Sequence, residues 1–363
     1  MDVLKTIGKL IPPPAHMQLP SAGVDVSDTS LKYIQFKPDS RSGTHLELLH
    51  WGDIDLPEGT LKRGEVNDGA KLASALREVR ERTGIDNVRV SLPEERAYLF
   101  ETEIKKGTSF KEIRGLLEFR LEENVPLSPR DAFFDYDIIE DVKNEDMLLV
   151  SVTAYAKDTI MSYYDACLAA GAVPISFEVE AQAIARSAIP KDDTDTHIIV
   201  DFGKTRTGIG IVHKKVLMYT SAIDIGGADL SSALCKQLGN KEESELTEIK
   251  NMQGLVRGAA SSEVYDALIP TMSAIADEIK TRIQYWNSQG IDNGRGIESV
   301  ILCGGSVNMK GLPSYFTEVL EIESRRADVW QNAFSVQKSV PAIGKRYSYG
   351  YATAVGLALT PFM

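Results

Sequence analysis

The sequence predicts an α/β protein of two related lobes, with a small α+β module inserted into the first. Three observations carry this. A chain of 363 residues is too long for one small core and suits two lobes. Residues 22–36 (AGVDVSDTSLKYIQF) and 197–212 (HIIVDFGKTRTGIGIV) share one layout: an apolar strand ending in Asp, a turn of small polar residues, then a second strand. Between them, residues 95 to 180 read as strand, helix, two strands, helix and strand, the order of a compact α+β module.

In chain order, residues 1–11 predict a short amphipathic helix with Val3, Leu4, Ile7, Leu10 and Ile11 on one side and Lys5 and Lys9 on the other. Pro12, Pro13 and Pro14 end it, because each lacks the backbone N–H a helix needs. Residues 1–20 form this helix and a linker. Residues 21–94 form the core of the first lobe, joined by 178–195 and 345–363. Here the pattern gives strands through 22–36, 46–49, 54–56 and 88–92 and a helix over 69–83. The inserted module spans 95–177. Its first helix carries Phe110, Ile113, Leu117 and Leu121 on one face and stops at NVPLSP; its second ends at Gly171, a residue suited to the left-handed C-terminal position. Residues 196–344 form the second lobe, with a charged helical subdomain over about 228–290. The apolar, small-residue segment YATAVGLALTPF reads as a buried closing helix.

Composition narrows the function. The net charge of −12 and pI near 5.1 disfavour binding to nucleic acid or bulk anionic lipid, since both repel an acidic surface. Cys167, Cys235 and Cys303 include no CxxC pair and suit a reducing compartment. The five histidines show no zinc-ligand spacing. No apolar run reaches the roughly 18 residues of a membrane span, and the triple proline interrupts any signal-peptide core, so a cytoplasmic location is expected.

The candidate chemistry lies in three turns. A nucleotide site needs backbone N–H groups aimed at phosphate oxygens and an acidic residue that holds Mg²⁺ through water. Asp25, Ser27, Thr29, Ser30 and Lys32 can supply one such turn. Asp201, Gly203, Lys204, Thr205 and Thr207 can supply a second. Gly304, Gly305 and Ser306, followed by Lys310, place a double glycine between a strand and a helix, where a nucleoside face or a phosphate can approach the backbone. Each turn alone is an ordinary hairpin or connection; the three together point to a polyphosphate clamp. Gly227 joins this candidate set. No GxxxxGK[ST] loop or complete GxGxxG is present, which argues against P-loop and Rossmann sites.

These residues resemble a known superfamily. GVDVSDTSLK is similar to the first phosphate loop of actin-like (ribonuclease H-like) ATPases, IIVDFGKTRTGIGI to the second, and VILCGGSVNMKGLPSYF to their adenosine motif. Within that superfamily FKEIRGLLEFRLEENVPLSPRDAFFDYDII resembles the signature of the PilM family of pilus-assembly proteins, with Asn124-Val125-Pro126 and Asp135-Tyr136 at its marker positions. The cell-division protein FtsA and the secretion protein GspL are related. The resemblance implies ATP with Mg²⁺ between the lobes, Asp25 and Asp201 acting on the metal through water, and Glu248 and Lys250 at the base. It also implies a scaffold peripheral to the inner membrane that links to the cytoplasmic pilus motor. The inserted module would grip the cytoplasmic N-terminal peptide of a PilN-like membrane protein in a groove involving Ile113, Leu117 and Leu121. Hydrolysis, if any, is expected to be slow.

Two departures stand out. Ser27 replaces a glycine of the first loop, and Asp28 adds a negative charge beside the phosphates. A small-molecule kinase and a division-type filament protein on the same fold are the alternative readings.

Overall fold

The computed structural model describes residues 19–38, 46–139, 146–258, 262–288, 296–334 and 340–362. The predicted N-terminal helix lies outside them.

The internal echo becomes a repeated topology. Strands β1 (Ala22–Val26), β2 (Ser30–Pro38) and β3 (Leu46–Asp55) form an antiparallel meander. Two parallel strands, β6 (Asn87–Leu92) and β10 (Val173–Val179), extend it on the β1 side, giving the order β10-β6-β1-β2-β3. A two-stranded hairpin, β4 (Leu61–Lys62) and β5 (Glu65–Val66), lies between them in sequence. The second lobe repeats the plan. Strands β11 (Thr196–Phe202), β12 (Thr207–His213) and β13 (Val216–Ile223) form a meander, and β14 (Ile297–Cys303) and β15 (Ser324–Arg326) add in parallel beside β11. Both central strands are buried along nearly their whole length, which explains their unbroken apolar runs.

Helix α1 (Gly69–Thr83) starts at Asp68, whose carboxylate accepts from Lys71 N, and stops at Gly84 in the left-handed region at φ 67°. Between β7 (Tyr98–Lys105) and β8 (Ala132–Ile139) runs α2 (Phe110–Asn124). Ser109 and Glu112 cap α2 reciprocally: Ser109 N donates to Glu112 Oε2 at 3.0 Å, and Glu112 N donates to Ser109 Oγ at 3.4 Å. Strand β9 (Met147–Ala156) completes a three-stranded sheet of order β7-β9-β8.

The inserted unit is smaller than its sequence pattern suggests. Helix α3 (Lys157–Ala169) packs on α1, and β10 pairs with β6 in the first sheet, so both return to the first lobe. The two last elements of the expected strand-helix pattern therefore belong to the parent lobe. The module proper has its own core of Phe100, Ile104, Val150, Val152 and Ala154, with Ile113, Leu117 and Leu121 at its centre. These three α2 residues are at most 4% exposed. They hold α2 on its sheet and cannot line an open groove, which corrects their assignment as groove residues.

The lobes are joined by two helices. Helix α4 (Glu180–Ala188) follows β10, and α9 (Ala352–Leu359) packs against α4, β1 and β2. Every residue of α9 is buried, as its apolar, small-residue sequence predicts. Gly356 sits where any Cβ would strike the Ala183 carbonyl, so the helices cross at backbone distance. The second lobe carries α5 (Gly227–Leu238), α6 (Glu243–Met252), α7 (Ser262–Ser288) and α8 (Leu312–Leu320).

Candidate functional site: an interlobe cleft

The three predicted turns converge. Residues from the β1–β2 turn, the β11–β12 turn and the Gly304–Gly305 connection line one cavity of about 280 Å³ between the lobes. Asp25, Ser27, Thr29, Ser30 and Lys32 reach it from the first lobe; Asp201, Gly203, Lys204, Thr205, Gly304 and Gly305 reach it from the second.

Each turn is built by its own small residues. Ser27 N donates to Ser30 O at 2.9 Å, and the Ser27 hydroxyl donates to the same carbonyl while accepting from Ser30 N. The serine that stands in place of glycine thus ties its own turn. Lys32 lies opposite Asp25 in the β1–β2 register; its ammonium donates to Ser30 Oγ at 2.6 Å and pairs with Asp53 at 3.5 Å. In the second turn Gly203 N donates to Arg206 O at 3.0 Å, and Gly203 O accepts from Gly227 N and from the Ser306 hydroxyl. This links the second turn, the start of α5 and the double-glycine connection. Gly304 has φ 94° and sits against Asp201 and the Phe202 carbonyl, a position open only to glycine.

Sequence reading missed the acidity of the cleft. Glu94 and Glu180 join Asp25 and Asp201 on its wall. Glu94 lies on a 3-10 turn (Glu94–Arg96) after β6, and Glu180 is the first residue of α4. Neither position carries a recognisable motif; only the fold brings them to the cavity. Burial raises all four carboxyls, and repulsion from neighbouring carboxylates adds to it. Glu94 is pushed up to about 8 by burial and then by Asp201, with Arg206 and the backbone N–H groups of Ala181 and Ile209 opposing. Asp201 is pushed up to about 7 by burial and then by Asp25. Asp25 is raised by burial, against Lys32 and the Ser91 hydroxyl. Glu180 stands well above the carboxylate range from burial and the other three. A divalent cation in this cleft would relieve a strain that the carboxylates impose on one another.

A second cavity of about 280 Å³ adjoins the first through Lys204 and Gly305. Gly227, Lys250 and Ser306 line it, as expected, with Glu243, Thr247 and Met309 beside them. Lys250 is buried, and its ammonium donates to Gly227 O at 3.0 Å and Ser231 Oγ at 2.5 Å. Burial lowers its pKa, partly offset by Glu243 at 3.7 Å.

Three predicted residues fall elsewhere. Glu248 is solvent-exposed and lines neither cavity, because on α6 it points away from the face that carries Glu243, Thr247 and Lys250. Thr207 is fully buried and gives its hydroxyl to Ile225 O at 2.7 Å, a structural role within the sheet. Lys310 lines a separate depression with Arg326, Lys345 and Arg346.

A third cavity, about 400 Å³, lies between the inserted module and the first lobe, with Leu217 of the second lobe on its wall. Its walls are β8 and β10, which are edge strands of their respective sheets. Phe133, Phe134, Tyr136, Phe177 and Leu217 give it an apolar lining, and Asp135, Asp137, Arg89 and the Arg186–Glu178 pair give it polar ends. Among the described residues no helix is long and apolar enough to cross a membrane.

Two sheets of the same topology, crossed by α4 and α9 and facing each other over a cleft of about 280 Å³, define the actin-like ATPase fold. Solved structures agree. The chain of a PilM-PilN type IV pilus biogenesis complex aligns over 95% of this chain and 99% of its own, at 20% identity and a TM-score of 0.76. The ethanolamine utilization protein EutJ from Carboxydothermus hydrogenoformans aligns over 96% and 90%, at 16% identity and a TM-score of 0.54. MreB5 of Spiroplasma citri bound to ADP aligns over 87% and 93%, at 12% identity and a TM-score of 0.51. The profile of the type IV pilus assembly protein PilM family matches residues 23–362, and the chain belongs to that family.

Proposed function

We propose that this chain is a nucleotide-binding scaffold of the type IV pilus assembly complex, peripheral to the inner face of the cytoplasmic membrane. It binds ATP with Mg²⁺ in the interlobe cleft and a short cytoplasmic tail of a PilN-like membrane protein in the groove between β8 and β10. The observation that carries the reading is the adjacency of two sites on one frame. A cleft of three small-residue turns and buried carboxylates includes Glu94 and Glu95, and an apolar groove between two strand edges includes Leu92, at the end of the strand that leads into the Glu94–Arg96 turn.

In the cleft, the small residues of the two hairpin turns would let phosphates come close to the backbone, and Lys32 and Lys204 would supply positive charge. Asp25 and Asp201 would hold hydrated Mg²⁺, whose charge offsets the carboxylate excess; Mg²⁺ keeps most of its waters, so two carboxylates suffice. The second cavity would take the nucleoside, with Lys250 and Glu243 near the base or ribose. The groove suits an extended peptide, since edge strands offer unpaired backbone groups and the apolar lining accepts alternate side chains. The structure of a PilM-PilN complex supports this partner class. The link to a pilus motor rests on family resemblance.

The test is a pull-down from solubilised membranes with the full chain as bait, with and without Mg-ATP, beside an Asp201→Ala variant. The expected result is capture of a single-span protein with a short cytoplasmic tail, in a yield that Mg-ATP changes for the wild type only. Capture of nothing, or of the chain itself alone, overturns the scaffold reading. An equal ATP effect in the Asp201→Ala variant overturns the cleft assignment.

A further inference from the structure

Arg206 occupies the second phosphate turn, yet its guanidinium is committed to carboxylates of the first lobe. Nη2 donates to Asp28 Oδ1 at 2.9 Å, and Nη1 pairs with Glu95. The three side chains are each less than one-fifth exposed. Asp28 is the residue whose charge opposes phosphate binding. Here it also accepts from Arg63 N at 3.1 Å and Gly64 N at 3.2 Å, so it has partners of its own. Glu95 lies in the 3-10 turn that leads into β7, the first strand of the inserted module. The carbonyl just before that turn, Pro93 O, accepts from the Tyr155 hydroxyl at 3.1 Å. Tyr155 is buried on β9 and lines the groove between β8 and β10. Arg206 and Glu95 both line the phosphate cavity. One continuous set of polar contacts therefore runs from the cleft to the groove: Arg206, Glu95, the turn, Pro93 and Tyr155.

We infer that Arg206 is a phosphate ligand shared with the first lobe, and that a nucleoside triphosphate draws it from Glu95 and thereby loosens the Glu94–Arg96 turn and the Tyr155 wall of the groove. The inference rests on the cleft and groove assignments above. A guanidinium has a planar fork that fits two carboxylates or one phosphate equally well, so the exchange needs no change of charge state. It also needs little motion, because Arg206 already stands on the cavity wall. When the fork turns to phosphate, Asp28 keeps its two backbone donors, whereas Glu95 loses an ion pair inside a partly buried site. A buried carboxylate that loses its partner must move toward water, and the turn moves with it. The effector acts only through differential contacts in two arrangements of one element, which is what coupling between sites requires.

The test uses the full chain and Mg-ATP, with affinity by calorimetry and backbone hydrogen exchange over residues 93–105 and 132–139. In the wild type, Mg-ATP should speed exchange in both segments. Arg206→Gln should weaken Mg-ATP about tenfold, the loss of one charge-assisted contact, and abolish the exchange response. Glu95→Gln should tighten Mg-ATP, because a competitor for Arg206 is gone, and should speed exchange at 132–139 without nucleotide. Tyr155→Phe should leave Mg-ATP affinity unchanged and blunt the response at 132–139. Arg206→Lys is the fallback where Arg206→Gln lowers the melting temperature. The inference is overturned by wild-type Mg-ATP affinity in both Arg206 variants, or by an undiminished response in Tyr155→Phe. Should the wild type bind no Mg-ATP, the cleft reading fails, and Glu95→Gln alone decides the link: faster exchange at 132–139 supports it, and unchanged exchange overturns it.

Discussion

Ser91 and Asp25 are coupled across neighbouring strands: the Ser91 hydroxyl donates to Asp25 Oδ1 at 3.1 Å while accepting from Val26 N at 2.9 Å. A fully buried β6 side chain thus fixes the β1 carboxylate that faces the cleft. Ser91→Ala should cost roughly 1 kcal/mol of stability, the worth of a buried hydrogen bond, and should weaken Mg-nucleotide binding by freeing the carboxylate. Denaturant titration and calorimetry measure the two effects. Loss of stability with unchanged affinity would show that Asp25 does not depend on this contact.

Glu94 should make stability fall with pH. Its carboxyl is raised from 4.5 to about 8, so between those values the folded chain keeps a proton that the unfolded chain has released. Stability therefore falls as pH rises through that window, and the full penalty is present above about 8. Asp201, raised to about 7, adds to the lower part of the same slope. Glu94→Gln should raise the melting temperature at pH 8, by a stabilisation on the order of 1–3 kcal/mol, and change it little near pH 5. Thermal melts in metal-free and nucleotide-free buffer test this. An equal shift at both pH values would mean that packing, and not the charge, sets the cost.

Leu117 should act as a core residue. Leu117→Ala should cost about 2–5 kcal/mol and disorder the module, whereas Phe119→Ala, at a position 61% exposed, should be near neutral. Equilibrium unfolding distinguishes the two. A Leu117→Ala variant of undiminished stability that fails to capture the membrane partner would return this residue to the binding surface.

Lys250 and Glu248 should part company. Lys250→Met leaves Gly227 O and Ser231 Oγ without their ammonium donor and should weaken nucleotide binding about tenfold. Glu248→Ala, on the exposed face of the same helix, should bind as the wild type does. Equal losses in both would place the nucleoside on the outer face of α6.

Much of this was legible in the residues. The strand–Asp–turn–strand echo predicted two lobes because each copy carries the same buried central strand and glycine- or serine-bound turn. The turns themselves were readable, since Asp25 and Asp201 each close an apolar strand beside small polar residues and Gly304 takes a φ of 94° that favours glycine. Glu94, Glu180 and Arg206 were not, because nothing local marks them. Glu94 follows a proline in an unremarkable turn, Glu180 looks like any first-turn acid of a helix, and Arg206 lies among hairpin polar residues. Their role comes from sheet packing that brings segments distant in sequence to one cavity. Helical phase also decided Glu248 against Thr247 and Glu243, a distinction that a charge pattern without neighbours does not carry. Ile113, Leu117 and Leu121 of α2 belong to the module core and not to a groove, a distinction that sequence does not carry because an apolar helical stripe looks the same whether it faces a partner or its own sheet.

The pairing of Tyr98 with Ala154 has a further meaning. The strand that leaves the first lobe and the strand that comes back run side by side, so their ends stand only ~5 Å apart. A few residues of turn could close that gap. The insert is thus threaded in at one pair of neighbouring strand ends, while Ser151 Oγ, donating to Leu217 O at 2.7 Å, ties its central strand to the second lobe, so whatever shifts the insert is felt by both lobes.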